Sequence, residues 1–298
     1  MQLMKMFLLV VVGYVCFQRN LITHEGTKSL SNLLLYVVNP MMIVHSFSTG
    51  YTDELLEGFL WAFALAFLSM SVAILVSHFL ISNKRPSYEI ERFACVYPNC
   101  GFMGIPLAMS LFGSTGVLYI SAYVAVFNLL SWTHGYALMT GKMDRRTIRK
   151  GILSPAVIAV IVGLIIFLGD ISLPVILSDT IDYLSCMNTA LAMLIAGSSL
   201  AESDLLSALK NKNIYFIAVI RLFLLPAIMA CIFHFLPLDR TVLITILVSS
   251  ACPTATTITL FALRFDKNHQ YASEIFAFST VFSMVTIPII MLLADVLL

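Results

Sequence analysis

The chain has 298 residues, 60% of them hydrophobic and 11% charged, with a mean hydropathy of +0.96. Soluble domains carry about 25% charged residues, so a soluble globular enzyme is excluded and a polytopic membrane protein is indicated. A net charge of +1 and no long run of like charge point away from a nucleic-acid partner and toward the lipid bilayer itself.

A helix that crosses a bilayer takes about 20 apolar residues. On that rule the chain divides into ten spans: 3–19, 27–48, 54–82, 88–112, 116–140, 152–169, 175–201, 212–236, 240–265 and 272–297. The first contains an apolar run, Met6 to Phe17, as short as a signal-peptide core. No small-residue cleavage site follows it, so it reads as a retained span. The second is interrupted by Asn39-Pro40. The fourth holds Tyr97-Pro98-Asn99-Cys100-Gly101-Phe102-Met103-Gly104-Ile105-Pro106 where a continuous helix belongs. Proline removes a backbone donor and crowds the preceding turn. Such a break survives at membrane depth only inside protein or beside a wet cavity, which is a place to hold a solute.

The ninth span carries a second break, Ser249-Ser250-Ala251-Cys252-Pro253-Thr254-Ala255-Thr256-Thr257. The six cysteines, Cys16, Cys95, Cys100, Cys186, Cys231 and Cys252, all fall within spans and form no metal-ligand spacing. They read as small buried apolar residues without disulfides, and no metal or other cofactor is expected.

Charge placement orients the map. Fourteen of the seventeen basic residues lie in alternate loops: at Arg19 and Lys28, at 84–92, at Lys142–Lys150, at Lys210 and Lys212, and at Arg264 and Lys267. The other loops and termini hold Lys5 and Arg240. The positive-inside rule makes the basic loops cytoplasmic and places both termini outside.

Five spans precede the basic loop and five follow it. An odd number per half forces opposite orientations, the arithmetic of an inverted repeat. The expected fold is therefore an all-α membrane protein of two inverted five-helix repeats, 1–141 and 152–298, joined by a cytoplasmic linker at 142–151. Asn39 in span two has a counterpart in Asn188 of span seven, and the break of span four one in span nine. Pro253 aligns with either Pro106 or Pro98, and the sequence leaves that register open.

Asn99-x-Gly101-Phe102-Met103-Gly104-Ile105-Pro106-Leu107 resembles the span-four signature of the auxin efflux carrier family. The resemblance continues through Arg221 to Ala230, Pro253-Thr254-Ala255-Thr256 and Thr286-Ile287-Pro288, and covers essentially the whole chain. It implies that broken spans four and nine cross at mid-membrane. Plant members carry a long hydrophilic loop between the halves, whereas 141–151 is short here. They also carry a lysine near the outer part of span three, where this chain has Asp53, Glu54 and Glu57. The shorter form looks like the bacterial branch, carriers of small carboxylates of the malate and malonate type.

A crossover brings half-helix N-termini together, each with about half a positive charge and free N–H groups. That suits a carboxylate. Pro106 and Pro253 are expected as first residues of the second half-helices, where proline costs little. Gly101 and Gly104 let backbone approach a ligand. Asn99, Thr254, Thr256 and Thr257 supply uncharged hydrogen bonds, although threonine also bonds back to its own preceding turn. Asn39, Asn128 and Asn188 are either substrate contacts or helix–helix contacts. Arg221 is nine residues past Lys212, about 13.5 Å along a helix, near the midplane. It is either the counter-charge to the anion or a structural donor to carbonyls that a broken helix exposes.

The function expected is a secondary transporter moving a small organic anion across the plasma membrane by alternating access, with no enzymatic activity. A sodium-coupled symporter of the same architecture is the nearest alternative, and a homodimer is compatible with it. A membrane-embedded enzyme is the alternative from another class, but the chain lacks H-E-x-x-H, and His24-Glu25 has no second histidine.

Overall fold

The computed structural model of the chain describes residues 2–48, 50–142 and 145–298. Residues 143 and 144 of the expected linker, and the side chains at 145–147, lie outside the described residues. Among the described residues every element is helical. The chain begins with α1 (Gln2–Gln18), followed by α2 (His24–Leu33) and α3 (Asn39–Phe47), α4 (Asp53–Leu80) and α5 (Tyr88–Val96). Then come α6 (Ile105–Leu130), α7 (Tyr136–Thr140), α8 (Arg145–Ile152), α9 (Pro155–Leu168) and α10 (Val175–Glu202). The last elements are α11 (Leu205–Lys210), α12 (Lys212–Val219), α13 (Leu225–His234), α14 (Arg240–Ala251), α15 (Thr257–Arg264) and α16 (His269–Leu297).

Short polar side chains start several of these helices. Thr23 accepts from the Gly26 N–H, Thr52 from Leu55, Asp239 from Thr241 and Val242, and Asn268 from Tyr271. Each satisfies a donor that the first turn leaves free, worth about 1 kcal/mol. Four π-helical turns interrupt the helices, at Leu34–Val38, Cys100–Gly104, Ser131–Gly135 and Ile220–Leu224. Three of them end two residues before a proline, at Pro40, Pro106 and Pro226. Proline cannot donate, and its ring crowds the carbonyl four residues back. Opening the turn to five-residue bonding relieves that crowding: Asn39 N–H reaches Leu34 O, Ile105 reaches Cys100 O, and Leu225 reaches Ile220 O.

Among the described residues six helices are long and apolar enough to cross a membrane: His24–Phe47, Asp53–Leu80, Cys100–Thr140, Val175–Glu202, Lys212–His234 and His269–Leu297. Met4–Gln18, Pro155–Leu168 and Arg240–Ala251 are shorter apolar helices. The 41-residue run Cys100–Thr140 is not straight. Gly113 has φ 59° and ψ −144°, a conformation that favours glycine. A Cβ built on Gly116 would collide with the Ala108 carbonyl, although residues eight apart in a straight helix are about 12 Å apart. The chain therefore doubles back at Gly113, where the predicted fourth and fifth spans meet.

Helix α1 lies directly on α10. A Cβ on Gly13 would strike the Leu194 carbonyl, and one on Gly197 the Val10 carbonyl, so both glycines set the approach of the two backbones. A large apolar core joins α3–α6, α9 and α12–α16. A smaller one joins α1, α2 and α10 to Phe102, Met103, Leu107, Val248 and Cys252 of the broken segments.

Three expectations need correction here. The linker 142–151 is not plain loop, because Arg145–Ile152 forms α8. The expected loop between spans seven and eight contains α11, capped by Asp204 on the Ser207 N–H. All six cysteines are free, but Cys186 and Cys231 are exposed and Cys16 is half-buried. Cys186 lines a small pocket, with its Sγ 3.9 Å from Asp182 Oδ1.

Candidate functional site

The two broken segments meet backbone to backbone. Helix α5 ends at Val96 and α14 at Ala251, and the residues that follow are extended. Pro98 and Thr254 form an antiparallel bridge. The Asn99 N–H donates to the Pro253 carbonyl at 2.7 Å, and the Ala255 N–H to the Tyr97 carbonyl at 3.0 Å. A proline contributes no N–H to such a pairing; Pro253 sits where only its carbonyl is used, and Pro98 where the two bonds fall on its neighbours Tyr97 and Asn99.

Other groups freed by the breaks are paired with side chains. The Thr254 N–H donates to Ser279 Oγ at 3.2 Å, and the Thr254 hydroxyl to the Ala94 carbonyl at 3.1 Å. Arg221, in the π turn Ile220–Leu224 and 1% exposed, spreads its fork across both broken segments. Its Nε donates to Cys252 O at 3.0 Å, its Nη1 to Cys95 O at 3.0 Å, and its Nη2 to Ser250 O at 2.6 Å and Cys252 O at 2.8 Å. These are carbonyls from the ends of α5 and α14, which a helix leaves without partners.

A cavity of about 750 Å³ opens beside this crossing. Of the predicted residues, Asn39, Asn99, Gly101, Asn128, Thr256 and Thr257 line it. Its apolar wall includes Tyr36, Phe102, Phe127 and Trp132. Arg149, Lys150 and Arg264 also line it, and no acidic residue does among the described residues. The field in the cavity is therefore positive. Asn99 is 3% exposed, and its Nδ2 has no hydrogen-bond partner. A buried amide donor left unmade costs about 1–3 kcal/mol, so it is a place where an acceptor is missing.

Gly104, Pro106, Pro253, Thr254, Asn188 and Arg221 do not line it, and some of the residues that do are committed elsewhere. Asn188 is fully buried and donates from Nδ2 to Asn39 Oδ1 at 2.6 Å, while Asn39 Nδ2 donates to the Gly101 carbonyl at 3.4 Å. The two asparagines thus tie α10, α3 and the broken span together. Asn128 lines the cavity but spends one donor on the Val124 carbonyl at 2.8 Å. Gly101 is open, with Asn39 Nδ2 3.8 Å from where its Cβ would be. Gly104 is not, since a Cβ there would meet Ile120 at 2.8 Å, so this glycine serves packing rather than ligand approach.

Neither proline opens a half-helix as expected. Pro106 sits beyond the π turn Cys100–Gly104, because helical bonding already starts at Cys100. Pro253 lies in the extended crossing, four residues before α15 begins at Thr257. Thr256 is the N-cap of α15, and its side chain makes no capping bond.

Several lining residues escaped the sequence reading. Tyr36, Phe127 and Trp132 look like ordinary apolar span residues, and only the fold turns them inward. Ser154-Pro155 carried a legible signal, a helix-starting serine followed by proline at the first helical position. A smaller pocket of about 170 Å³, lined by Met42, His45, Ser46, Asp182 and Ser185, begins one turn further along α3 from Asn39. In it His45 Nε2 and Asp182 Oδ1 are 3.5 Å apart.

Residues 1–148 and 139–291 match the family model described as membrane transport protein. An uncharacterised transporter of Methanothermobacter thermautotrophicus is 23% identical over 293 residues, 96% of this chain and 95% of that protein. An uncharacterised transporter of Methanocaldococcus jannaschii is 24% identical over 209 residues, 66% of this chain and 68% of that protein. Both relatives are archaeal, and their names state transport without a substrate.

Proposed function

The chain belongs to the membrane transport protein family, whose members resemble auxin efflux carriers, and from that premise we propose that it carries a small organic carboxylate by alternating access. The single observation that carries this reading is the Asn99 amide. It is an unpartnered buried donor in a cavity that, among the described residues, is lined by three cations and no acid, beside the start of the second half-helix at Cys100. A carboxylate supplies the missing acceptor and the opposite charge together.

The same proposal takes the ten predicted spans as two inverted five-helix repeats, 1–141 and 152–298, in the plasma membrane with both termini outside. The antiparallel pairing of Pro98 with Thr254 supports the register that sets the two breaks against each other, rather than Pro106 against Pro253. The Asn39–Asn188 pair, 149 residues apart, supports matched positions in spans two and seven. The large cavity reaches Arg149, Lys150 and Arg264 of the basic loops, and the small pocket starts beyond Asn39 on the same helix. This layout fits a carrier open toward the cytoplasm, with the crossing and the asparagine pair closing the other side.

In the mechanism proposed, the carboxylate enters from the basic side and accepts from Asn99, with Thr256 and Thr257 at the start of α15 as further donors. Arg221 is the structural member: four of its five N–H donors hold two broken helix ends together. Equilibrium binding to the purified protein tests the reading. A carboxylate that binds wild type should bind at least tenfold more weakly as its methyl ester, and equal binding of the two would remove the anion site.

A further inference from the structure

A second unpartnered group lies in the same cavity, away from the crossing. Ser154 is 6% exposed, and its Oγ has no hydrogen-bond partner. It stands at the N-cap of α9, a 14-residue helix with Pro155 at its first position. A capping serine ordinarily accepts from the N–H of the second or third helical residue. Here its side chain makes no such bond. The first-turn N–H groups of Ala156 and Val157 thus stay uncapped, and Ser154, Pro155 and Ala156 all line the cavity.

The charge around this helix start has one sign. Arg149 and Lys150 close the last turn of α8, immediately before it, and Arg264 ends α15 across the cavity. Among the described residues none of the three makes a salt bridge. Lys150 Nζ instead lies 5.7 Å from the centre of the Trp132 ring, which also lines the cavity. A helix N-terminus with a free hydroxyl, flanked by unpaired cations in a partly enclosed space, is built for an anion.

We propose that the start of α9 is a second anion site, at which a carboxylate from the basic side is held before it moves inward to Asn99. The loading role rests on the reading of Asn99 as the deep site. Ser154 donates its hydroxyl to the anion, the first-turn N–H groups of α9 point at it, and Arg149, Lys150 and Arg264 draw it in. Two sites in series raise the local anion concentration at the crossing without placing a charge inside it.

Trp132 provides a probe at this mouth. The chain has two tryptophans, and Trp61→Phe leaves Trp132 as the only one. The protein is placed in phosphatidylcholine nanodiscs and titrated with sodium acetate, then with inorganic phosphate, at constant ionic strength. Saturable change in Trp132 emission is expected. Ser154→Ala and Arg264→Gln should each weaken the apparent affinity at least fivefold, and Asn99→Ala should leave it within twofold. Arg264 is exposed, so its variant carries the test should Ser154→Ala fold poorly.

An unchanged titration in both variants would overturn the site. A response seen only when phosphatidylglycerol is added, with no effect of acetate or phosphate, would assign the cations to a lipid headgroup and overturn it as well. Acetate binding to the same variants by calorimetry separates the two readings. Loss of all binding in Asn99→Ala with the Trp132 response also gone leaves a single deep site and refutes the mouth site. Full binding in Asn99→Ala with loss in Ser154→Ala refutes the deep site and with it the loading role.

Discussion

Arg221→Ala separates a structural arginine from a substrate counter-charge. The fork makes four hydrogen bonds to three carbonyls, those of Cys95, Ser250 and Cys252, and among the described residues no carboxylate shares it. Each buried acceptor left without a partner costs about 1–3 kcal/mol, so three orphaned carbonyls cost roughly 3–9 kcal/mol. The variant also escapes burying a guanidinium, which returns several kcal/mol. The net expectation is a loss of about 3 kcal/mol in unfolding free energy. Arg221→Lys keeps the charge but not the planar fork, so it should recover only part of that loss. Unfolding in detergent micelles, monitored by circular dichroism, reads the stability, and calorimetry with a bound carboxylate reads the site. Stability within about 0.5 kcal/mol of wild type together with abolished anion binding in the alanine variant would refute the structural role. Full binding in the lysine variant would then identify a counter-charge.

Asn99→Ala should leave stability unchanged or slightly raised while carboxylate affinity collapses, because the amide donor it removes has no partner to lose; a loss above about 1 kcal/mol in the same unfolding assay would contradict this. Asn188→Ala should do the reverse, costing about 1–2 kcal/mol by orphaning Asn39 Oδ1 while the cavity keeps its lining, and a binding defect without a stability defect would count against it. Pro106→Ala restores an N–H and lets the turn Cys100–Gly104 tighten, so flux in proteoliposomes should fall while the protein stays folded. Pro253→Ala keeps the carbonyl that Asn99 uses and should be milder; wild-type flux in both proline variants would remove the break from the mechanism. Orientation is read by membrane-impermeant thiol labelling in a background with Cys16, Cys186 and Cys231 replaced by serine. Asn83→Cys should label only from the cytoplasm and Ser172→Cys only from outside, and the opposite pattern would invert the proposed topology.

Much of the helical layout is legible in the sequence, because bilayer length, proline and glycine act locally. The predicted junction between spans four and five falls on Gly113, whose positive φ turns the chain there. Three of the four π turns precede Pro40, Pro106 and Pro226, where the ring clash gives a local reason for them; the turn Ser131–Gly135 has no proline after it. The half-helix starts were misplaced for a related reason. Proline favours a first helical position, but a π turn also accommodates it, and at Pro106 the second solution holds. At Pro253 the backbone is extended instead, because its carbonyl pairs with Asn99.

What could not be read is what depends on two distant segments at once. The pairing of Pro98 with Thr254, the tie between Asn188 and Asn39, and the reach of Arg221 to carbonyls of both breaks are tertiary facts. The cavity residues divide in the same way. Asn99 announced itself by sitting in a break, whereas Tyr36, Phe127 and Trp132 carry no local mark that separates a solute-facing side chain from a lipid-facing one. The split of Gly101 from Gly104 is likewise set by Ile120, which only the folded chain brings against Gly104.

The most direct test of the account is uptake by proteoliposomes containing the purified chain, loaded in parallel with a panel of radiolabelled mono- and dicarboxylates, for wild type and Asn99→Ala. The account predicts that at least one carboxylate accumulates in wild-type vesicles, that its methyl ester does not compete, and that Asn99→Ala abolishes the uptake without unfolding the protein. Uptake that persists in Asn99→Ala, or that the neutral ester inhibits as well as the acid does, would contradict it.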